Sequence, residues 1–166
     1  MAEAPRRFVR SSAASGVTDH DGGTGTRSAT LTTHRILELP VIRDHRGNLT
    51  PVEGERDIPF EIQRVFYLYD VPAGETRAGH ALKDVEQVIV AVSGSFDVIL
   101  DSGAGRTTVT LNRPSLGLYV RSLVWRELEN FSSGSVCLVF ASGPYREESY
   151  YRNYEDFLAA AREPWP

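Results

Sequence analysis

Gly79-His80-Ala81-Leu82-Lys83-Asp84-Val85-Glu86 has the spacing of a metal-binding strand in which leucine fills one ligand position. Side chains two positions apart on a strand share a face, and a carboxylate four residues further on can complete a set of metal donors. Leu82 has no lone pair to donate. The stretch therefore reads as a scaffold shaped for a metal and put to another use, with His80 as the group left to explain. A satisfied interior histidine and a working base are both open readings of His80 on its own.

Outward from that stretch, short apolar runs alternate with turn residues at roughly ten-residue intervals, the rhythm of an all-β sandwich or barrel. The pattern predicts strands over residues 37–42, 49–53, 62–71, 87–92, 95–101, 107–111, 116–120, 124–128 and 136–141. That number of short strands suits a double-sheet jelly roll. Residues 44–48 (Asp44-His45-Arg46-Gly47-Asn48) and 101–105 (Asp101-Ser102-Gly103-Ala104-Gly105) supply the Asp, Asn and Gly that tight hairpin turns require. A short C-terminal helix is expected over 154–162, where Phe157 and Leu158 lie one turn from Tyr154 and Ala159, Ala160 and Ala161 favour helix. Glu163-Pro164 ends it.

The 166 residues fit one domain. Residues 1–33 are rich in Ala, Ser, Thr and Gly and hold few large apolar side chains, so a disordered N-terminal tail is expected there, with His20 a solvated bystander. The folded domain is expected over 34–166. A net charge of −4 argues against a nucleic-acid partner, because neutralising phosphates takes clustered positive charge. Cys137 is the single cysteine, sits in an apolar run and cannot form an internal disulfide, which fits a core position in a reducing cytoplasm. No apolar run approaches the roughly 18 residues of a membrane helix, and the arginines near Met1 are not followed by a signal-peptide apolar region. A soluble, cytoplasmic protein without a membrane partner is the expectation.

His80, Leu82, Glu86 and Gly94 align with the first motif of metal cupins, and Pro114-Ser115-Leu116-Gly117 resembles the start of the second. The segment that follows, Leu123-Val124-Trp125-Arg126-Glu127, carries arginine where a histidine ligand is needed. At most two of four ligands remain, too few for a catalytic metal. No metal and no other cofactor are expected.

Residues 36–158 resemble the dTDP-sugar 3,4-ketoisomerases, also called WxcM-like cupins. The matching segments include Asp44 to Glu53, Asp57-Ile58-Pro59-Phe60, Arg64-Val65-Phe66-Tyr67, Gly94 to Asp101, Leu116 to Val120, Val124-Trp125-Arg126-Glu127 and Tyr151 to Phe157. The resemblance implies a cupin jelly roll (double-stranded β-helix) that forms a homodimer. It also implies a cofactor-free isomerase that takes dTDP-4-keto-6-deoxy-glucose to a 3-keto isomer through an enediol, in deoxysugar biosynthesis. His80 matches the family's base at sugar C3, and imidazole suits that work near neutral pH. Most members carry a second histidine at the position of Leu82. That departure leaves Tyr67 or Tyr119 as candidate proton relays and keeps open a non-catalytic nucleotide-sugar binder or a related epimerase.

On the same resemblance, Arg77 joins His80 and Tyr67 as a catalytic candidate, its fork of donors suited to pyrophosphate or to an enediolate oxygen. Arg46, Arg64, Gln87, Tyr119, Trp125 and Arg126 form the expected substrate-binding set. Trp125 reads either as a stacking surface or as a buried anchor. Arg46 and Arg126 take one residue from each of two branch patterns, so the product's configuration at C4 stays open.

Overall fold

A computed structural model describes residues 33–162. The tail expected over 1–33 lies, apart from Thr33, outside the described residues, as do the last four positions of the domain expected over 34–166. In chain order the strands are β1 (His34–Glu38), β2 (Ile42–Asp44), β3 (Gly47–Leu49), β4 (Arg64–Leu68), β5 (Arg77–Leu82), β6 (Gln87–Ser93), β7 (Phe96–Asp101), β8 (Arg106–Leu111), β9 (Leu116–Val120), β10 (Trp125–Glu129), β11 (Val136–Ala141) and β12 (Tyr150–Tyr151). A 3-10 turn over Glu147–Ser149 precedes β12, and helix α1 (Tyr154–Ala161) follows it.

Two five-stranded antiparallel sheets face each other, one in the order β1-β9-β6-β11-β4 and the other β12-β5-β10-β7-β8, with β2 and β3 as a separate hairpin. This is the jelly roll that the strand rhythm predicted. Alternation sorts each strand's side chains. Ile89, Leu118, Val120, Cys137 and Val139 of the first sheet meet Phe96, Val98, Leu100, Leu111 and Leu128 of the second in the central core. The first sheet's outer face carries a second cluster, in which Val88, Val90, Tyr119 and Phe140 pack against Leu39, Ile58 and Phe60. Helix α1 covers the second sheet's outer face, with Phe157 on Trp125 and Ala81. The helix is capped by the Asn153 side chain, which accepts from the amides of Glu155 and Asp156 at 2.8 and 3.2 Å. Among the described residues no helix is long and apolar enough to cross a membrane.

Both expected hairpins form, with Asp44 paired to Gly47 and Asp101 paired to Arg106. Other boundaries shift. The run expected as strand 37–42 divides between β1 and β2, and 49–53 contributes only Leu49 to β3, since Val52 instead packs against the outer cluster. β5, read as a strand only from the ligand spacing around His80, is missing from the strands that the apolar rhythm predicts, as is the two-residue β12. In β5 positive φ angles at Ala78 and Gly79 interrupt the alternation that strand reading relies on.

Gly94, the motif glycine, turns the chain from β6 in the first sheet to β7 in the second at φ +65°, and a Cβ there would lie 2.5 Å from Ser132 Oγ and 2.8 Å from Ser135 Cα. A left-handed turn pressed against another backbone segment requires glycine. Gly94→Ala is expected to destabilise the protein by about 2 kcal/mol or more. A thermal melt within a degree of the unsubstituted protein's would refute this.

Candidate active site

The site forms where β5 is irregular. Arg126 on β10 pairs with His80 while Glu127 pairs with Ala78, so Gly79 is an extra residue, bulged out of the ladder. Ala78 and Gly79 both take left-handed backbone, at φ +69° and +65°. A bulge bends a strand and re-aims the side chain beside it, and a left-handed alanine is a strain that the surrounding sheet has to hold. Here the side chain beside it is His80. Its ring hydrogen-bonds to the Ala78 backbone and meets Tyr150 nearly edge-on, with centroids 4.9 Å apart.

A cavity of about 350 Å³ opens between the two sheets at this point. Its apolar walls are Phe66, Leu68, Ile89, Leu128 and Val139. His80, Gln87, Arg126 and Tyr150 supply its polar groups, and the exposed Arg77, Tyr145 and Arg152 also line it. Arg126 is 1 % exposed. It donates to Gln87 Oε1 at 2.7 Å and to the carbonyls of Val124 at 2.8 Å and Arg121 at 3.2 Å, and among the described residues it has no carboxylate partner. Burial lowers its pKa to about 10, which leaves it charged near neutral pH. A buried cation held by dipoles alone favours an anion or an oxygen that gains charge.

Burial, followed by the field of Arg126 and then those of Arg152 and Arg64, pushes the His80 pKa down to about 4 against the opposing pull of the Ala78 bond. The imidazole is therefore neutral at physiological pH. At the exposed edge of the cavity Glu147 joins Arg152, at 2.9 Å from Nη2, to the Tyr145 hydroxyl, and the two partners hold its carboxyl at about 2. Arg152 lies over the Tyr150 ring at 4.6 Å. Arg64 sits in an adjoining recess shared with Phe66, Tyr145 and Tyr150, its guanidinium over the rings of Phe66 and Tyr145. From there it donates to the Tyr150 hydroxyl at 3.3 Å.

Of the residues singled out from sequence, His80, Arg77, Gln87 and Arg126 line the cavity and Arg64 adjoins it. Four others take different places, mostly because of strand parity. On β4 Phe66 and Leu68 point inward, so Tyr67 points out, 60 % exposed, beside Tyr69 in a separate cleft. Tyr119 lies in the outer cluster of the first sheet and donates to Glu86 Oε1; burial and that carboxylate push its pKa up to about 12. Trp125 is the buried anchor beneath α1, 5.2 Å from the Tyr154 ring and donating to Glu127. Arg46 is exposed at the β2–β3 turn and pairs with Asp44. Glu86, which the spacing offered as a metal donor, is turned to Tyr119. Leu82 is fully buried against Val85, Ala141 and Tyr150, outside the cavity lining. Among the described residues no three His, Cys, Asp or Glu side chains gather around a possible ion position.

A family model described as FdtA, WxcM-like, C-terminal, matches residues 32–162. The chain belongs to this FdtA family. One relative, the TDP-4-oxo-6-deoxy-alpha-D-glucose-3,4-oxoisomerase of Aneurinibacillus thermoaerophilus, is 43% identical over 124 residues, which are 75% of this chain and 89% of the relative. QdtA, a sugar 3,4-ketoisomerase from Thermoanaerobacterium thermosaccharolyticum solved in complex with TDP, superposes with a TM-score of 0.78 at 40% identity, covering 80% of this chain and 96% of that one. WlaRB, a TDP-quinovose 3,4-ketoisomerase from Campylobacter jejuni, gives a TM-score of 0.75 at 44% identity, covering 78% and 99%.

In this FdtA-family chain the residues that sequence reasoning missed lie together just before the helix. Tyr145, Tyr150 and Arg152 come from a stretch without strand alternation, and contacts between distant residues, among them the two-residue pairing of β12 with β5 and the His80–Tyr150 and Arg64–Tyr150 contacts, fix them against the cavity. The available signal was composition, since three tyrosines and three arginines or glutamates crowd into residues 145–151.

Proposed function

We propose that this protein is a sugar-nucleotide 3,4-ketoisomerase acting on a TDP-linked 4-keto-6-deoxy-hexose in deoxysugar biosynthesis. One observation carries the reading. A neutral histidine and a buried arginine that has no carboxylate partner among the described residues face one cavity in a chain whose relatives are named as isomerases of this kind. His80 takes the proton from sugar C3, the C3–C4 double bond forms, and the carbonyl oxygen on C4 gains the negative charge. Arg126, buried in a site of low polarity, holds that charge as it develops. Protonation of that oxygen gives the enediol. Delivery of the proton from His80 to C4, with loss of the proton on the C3 oxygen, leaves the ketone at C3. The electron pair that C3 loses is the pair C4 gains, so the reaction balances within the sugar and needs no redox cofactor.

Arg77, exposed where the cavity meets the outer cleft, is placed to take the diphosphate. Arg77→Met is therefore expected to weaken TDP binding about 10- to 100-fold while leaving kcat within a few-fold. Calorimetry with TDP and steady-state kinetics measure the two effects separately, and equal losses in both would move Arg77 into the chemical step.

The working domain in this reading is 34–166. The protein acts in the cytoplasm, in keeping with its single buried thiol, and as a homodimer, in keeping with Val65, Tyr67 and Val92 left exposed on the outer face of the first sheet. Light scattering at twice the chain mass is the expected result for the dimer.

The reaction itself is tested by incubating the protein with TDP-4-keto-6-deoxyglucose in heavy water and following the sugar by NMR. A 3-keto product with solvent deuterium entering at the reacting carbons is expected. Unchanged substrate with no deuterium at C3 would reject the isomerase reading.

A further inference from the structure

The isomerisation moves two protons, one between carbons and one between oxygens. His80 accounts for the first. While it holds the carbon proton it cannot also protonate the oxygen on C4 or relieve the oxygen on C3, so a second group that both gives and takes a proton is required. Among the described residues no aspartate, glutamate or second histidine lines the cavity. Leu82, the position sharing a strand face with His80, packs behind Tyr150 and carries no exchangeable proton. The remaining proton carriers in the lining are Thr76, Tyr145 and Tyr150. Tyr145 is exposed, and its hydroxyl is already committed to Glu147.

Resting on the isomerase reading above, we propose that Tyr150 is a further catalytic residue, the relay that carries the hydroxyl proton between the two sugar oxygens. Three contacts place it. β12 pairs with β5 through Tyr150 opposite Leu82, which sets the phenol on the same sheet face as His80. The ring meets the imidazole at 4.9 Å, so a sugar carbon within reach of His80 brings its attached oxygens toward the phenol. The hydroxyl also accepts a hydrogen bond from Arg64 at 3.3 Å, which leaves its own proton free to be donated.

Arg64 is well suited to support such a relay. Its guanidinium is held over two aromatic rings, at 5.0 Å from Phe66 and 5.6 Å from Tyr145, and its buried Nε has no partner among the described residues. A fixed cation on the phenol oxygen stabilises the charge that appears there when the proton leaves for O4, and the charge vanishes when the proton on O3 arrives. Tyr150 ends each cycle as it began, neutral and protonated. Arg152 over the same ring at 4.6 Å adds to that positive surround. Arg64 is thus a positioning residue, acting through Tyr150.

The test uses the full chain, TDP-4-keto-6-deoxyglucose and heavy water, with product formation and deuterium entry at C3 followed separately. Tyr150→Phe keeps the ring against His80, Leu82 and Arg152 and removes only the hydroxyl. Product formation is expected to fall about 100-fold or more, while deuterium exchange at C3 of the recovered substrate falls less than about tenfold and TDP affinity and melting temperature hold. Arg64→Gln, which leaves Tyr150 in place, is expected to slow product formation about tenfold with exchange at C3 preserved, and it serves where the first variant fails to fold. Turnover by Tyr150→Phe within threefold of the unsubstituted enzyme would overturn the relay alone. Exchange and turnover falling in parallel would also overturn it, since Tyr150 would then act only by placing His80. An unsubstituted protein that forms no product would overturn the relay together with the isomerase reading.

Discussion

His80→Asn is expected to lower kcat by about 10³-fold or more, because asparagine keeps a polar side chain of similar reach but cannot accept a proton from carbon. The pH dependence separates loss of the base from loss of the fold. His80 must be neutral to act, and in the free enzyme its pKa is pushed down to about 4 by burial and then by the Arg126 field. The kcat/KM profile, which reports the free enzyme, should therefore stay flat from pH 7 to about 5 and fall about tenfold per unit below about 4, well beneath the region where an ordinary histidine titrates. The substrate's diphosphate brings negative charge toward the same arginines, so the limb of kcat should lie at higher pH than that of kcat/KM.

The same shift contributes to stability with a definite sign. Above about pH 6.5 the histidine is neutral in both folded and unfolded chains, and its burial is not penalised by charging. Between about 6.5 and 4 the unfolded chain takes up a proton that the folded site refuses. Stability therefore falls as pH falls through that window, by at most about 3 kcal/mol at its lower end, and changes no further below it. In His80→Asn this part of the slope should vanish. Urea unfolding at pH 7 and pH 5 on both proteins measures it, and an unaltered slope in the variant would show that His80 already titrates normally in the fold.

Much of the fold could be read from the chain because strand alternation and turn chemistry are local. The hairpins at Asp44–Gly47 and Asp101–Arg106, the central strands and the capped helix all follow from residues adjacent in sequence. The site was less legible, and the errors have a physical pattern. The apolar rhythm puts Tyr67 and Tyr119 on the correct strands, but a strand carries side chains on two faces, and nothing local tells which face meets the second sheet. Trp125 and Arg126 are neighbours sent to opposite faces, the first under α1 and the second into the cavity. The residues at 145–152 could not be placed by pattern at all, since their position depends on a two-residue pairing with β5 and on contacts across the cavity edge. Leu82 illustrates the converse. Its identity suggested a missing catalytic group in the site, whereas the fold makes it the apolar backing of Tyr150.

Arg126→Met is expected to separate function from stability more clearly than any other substitution in this protein. The guanidinium sits in the cavity beside His80, its register partner across the β5–β10 ladder, and Gln87 is its only side-chain hydrogen-bond partner among the described residues. Methionine keeps most of the length and volume and removes the charge, so the fold loses hydrogen bonds to Val124, Arg121 and Gln87 but no longer holds a buried ion. These opposing effects should leave the melting temperature within a few degrees. In catalysis there is no offset, because in the proposed reaction the charge that develops on the C4 oxygen loses the buried cation assigned to hold it. Removing one such donor typically costs about 10²- to 10³-fold in kcat, and that loss is expected here with TDP affinity nearly unchanged, since TDP lacks the reacting sugar. The His80 pKa should rise in the same variant as the second-largest cause of its depression disappears. Its kcat/KM profile should therefore bend at higher pH, by an amount set by the arginine's field alone. A variant that binds TDP poorly yet turns over at the normal rate once saturated would place Arg126 on the diphosphate and leave the enolate oxygen to another donor.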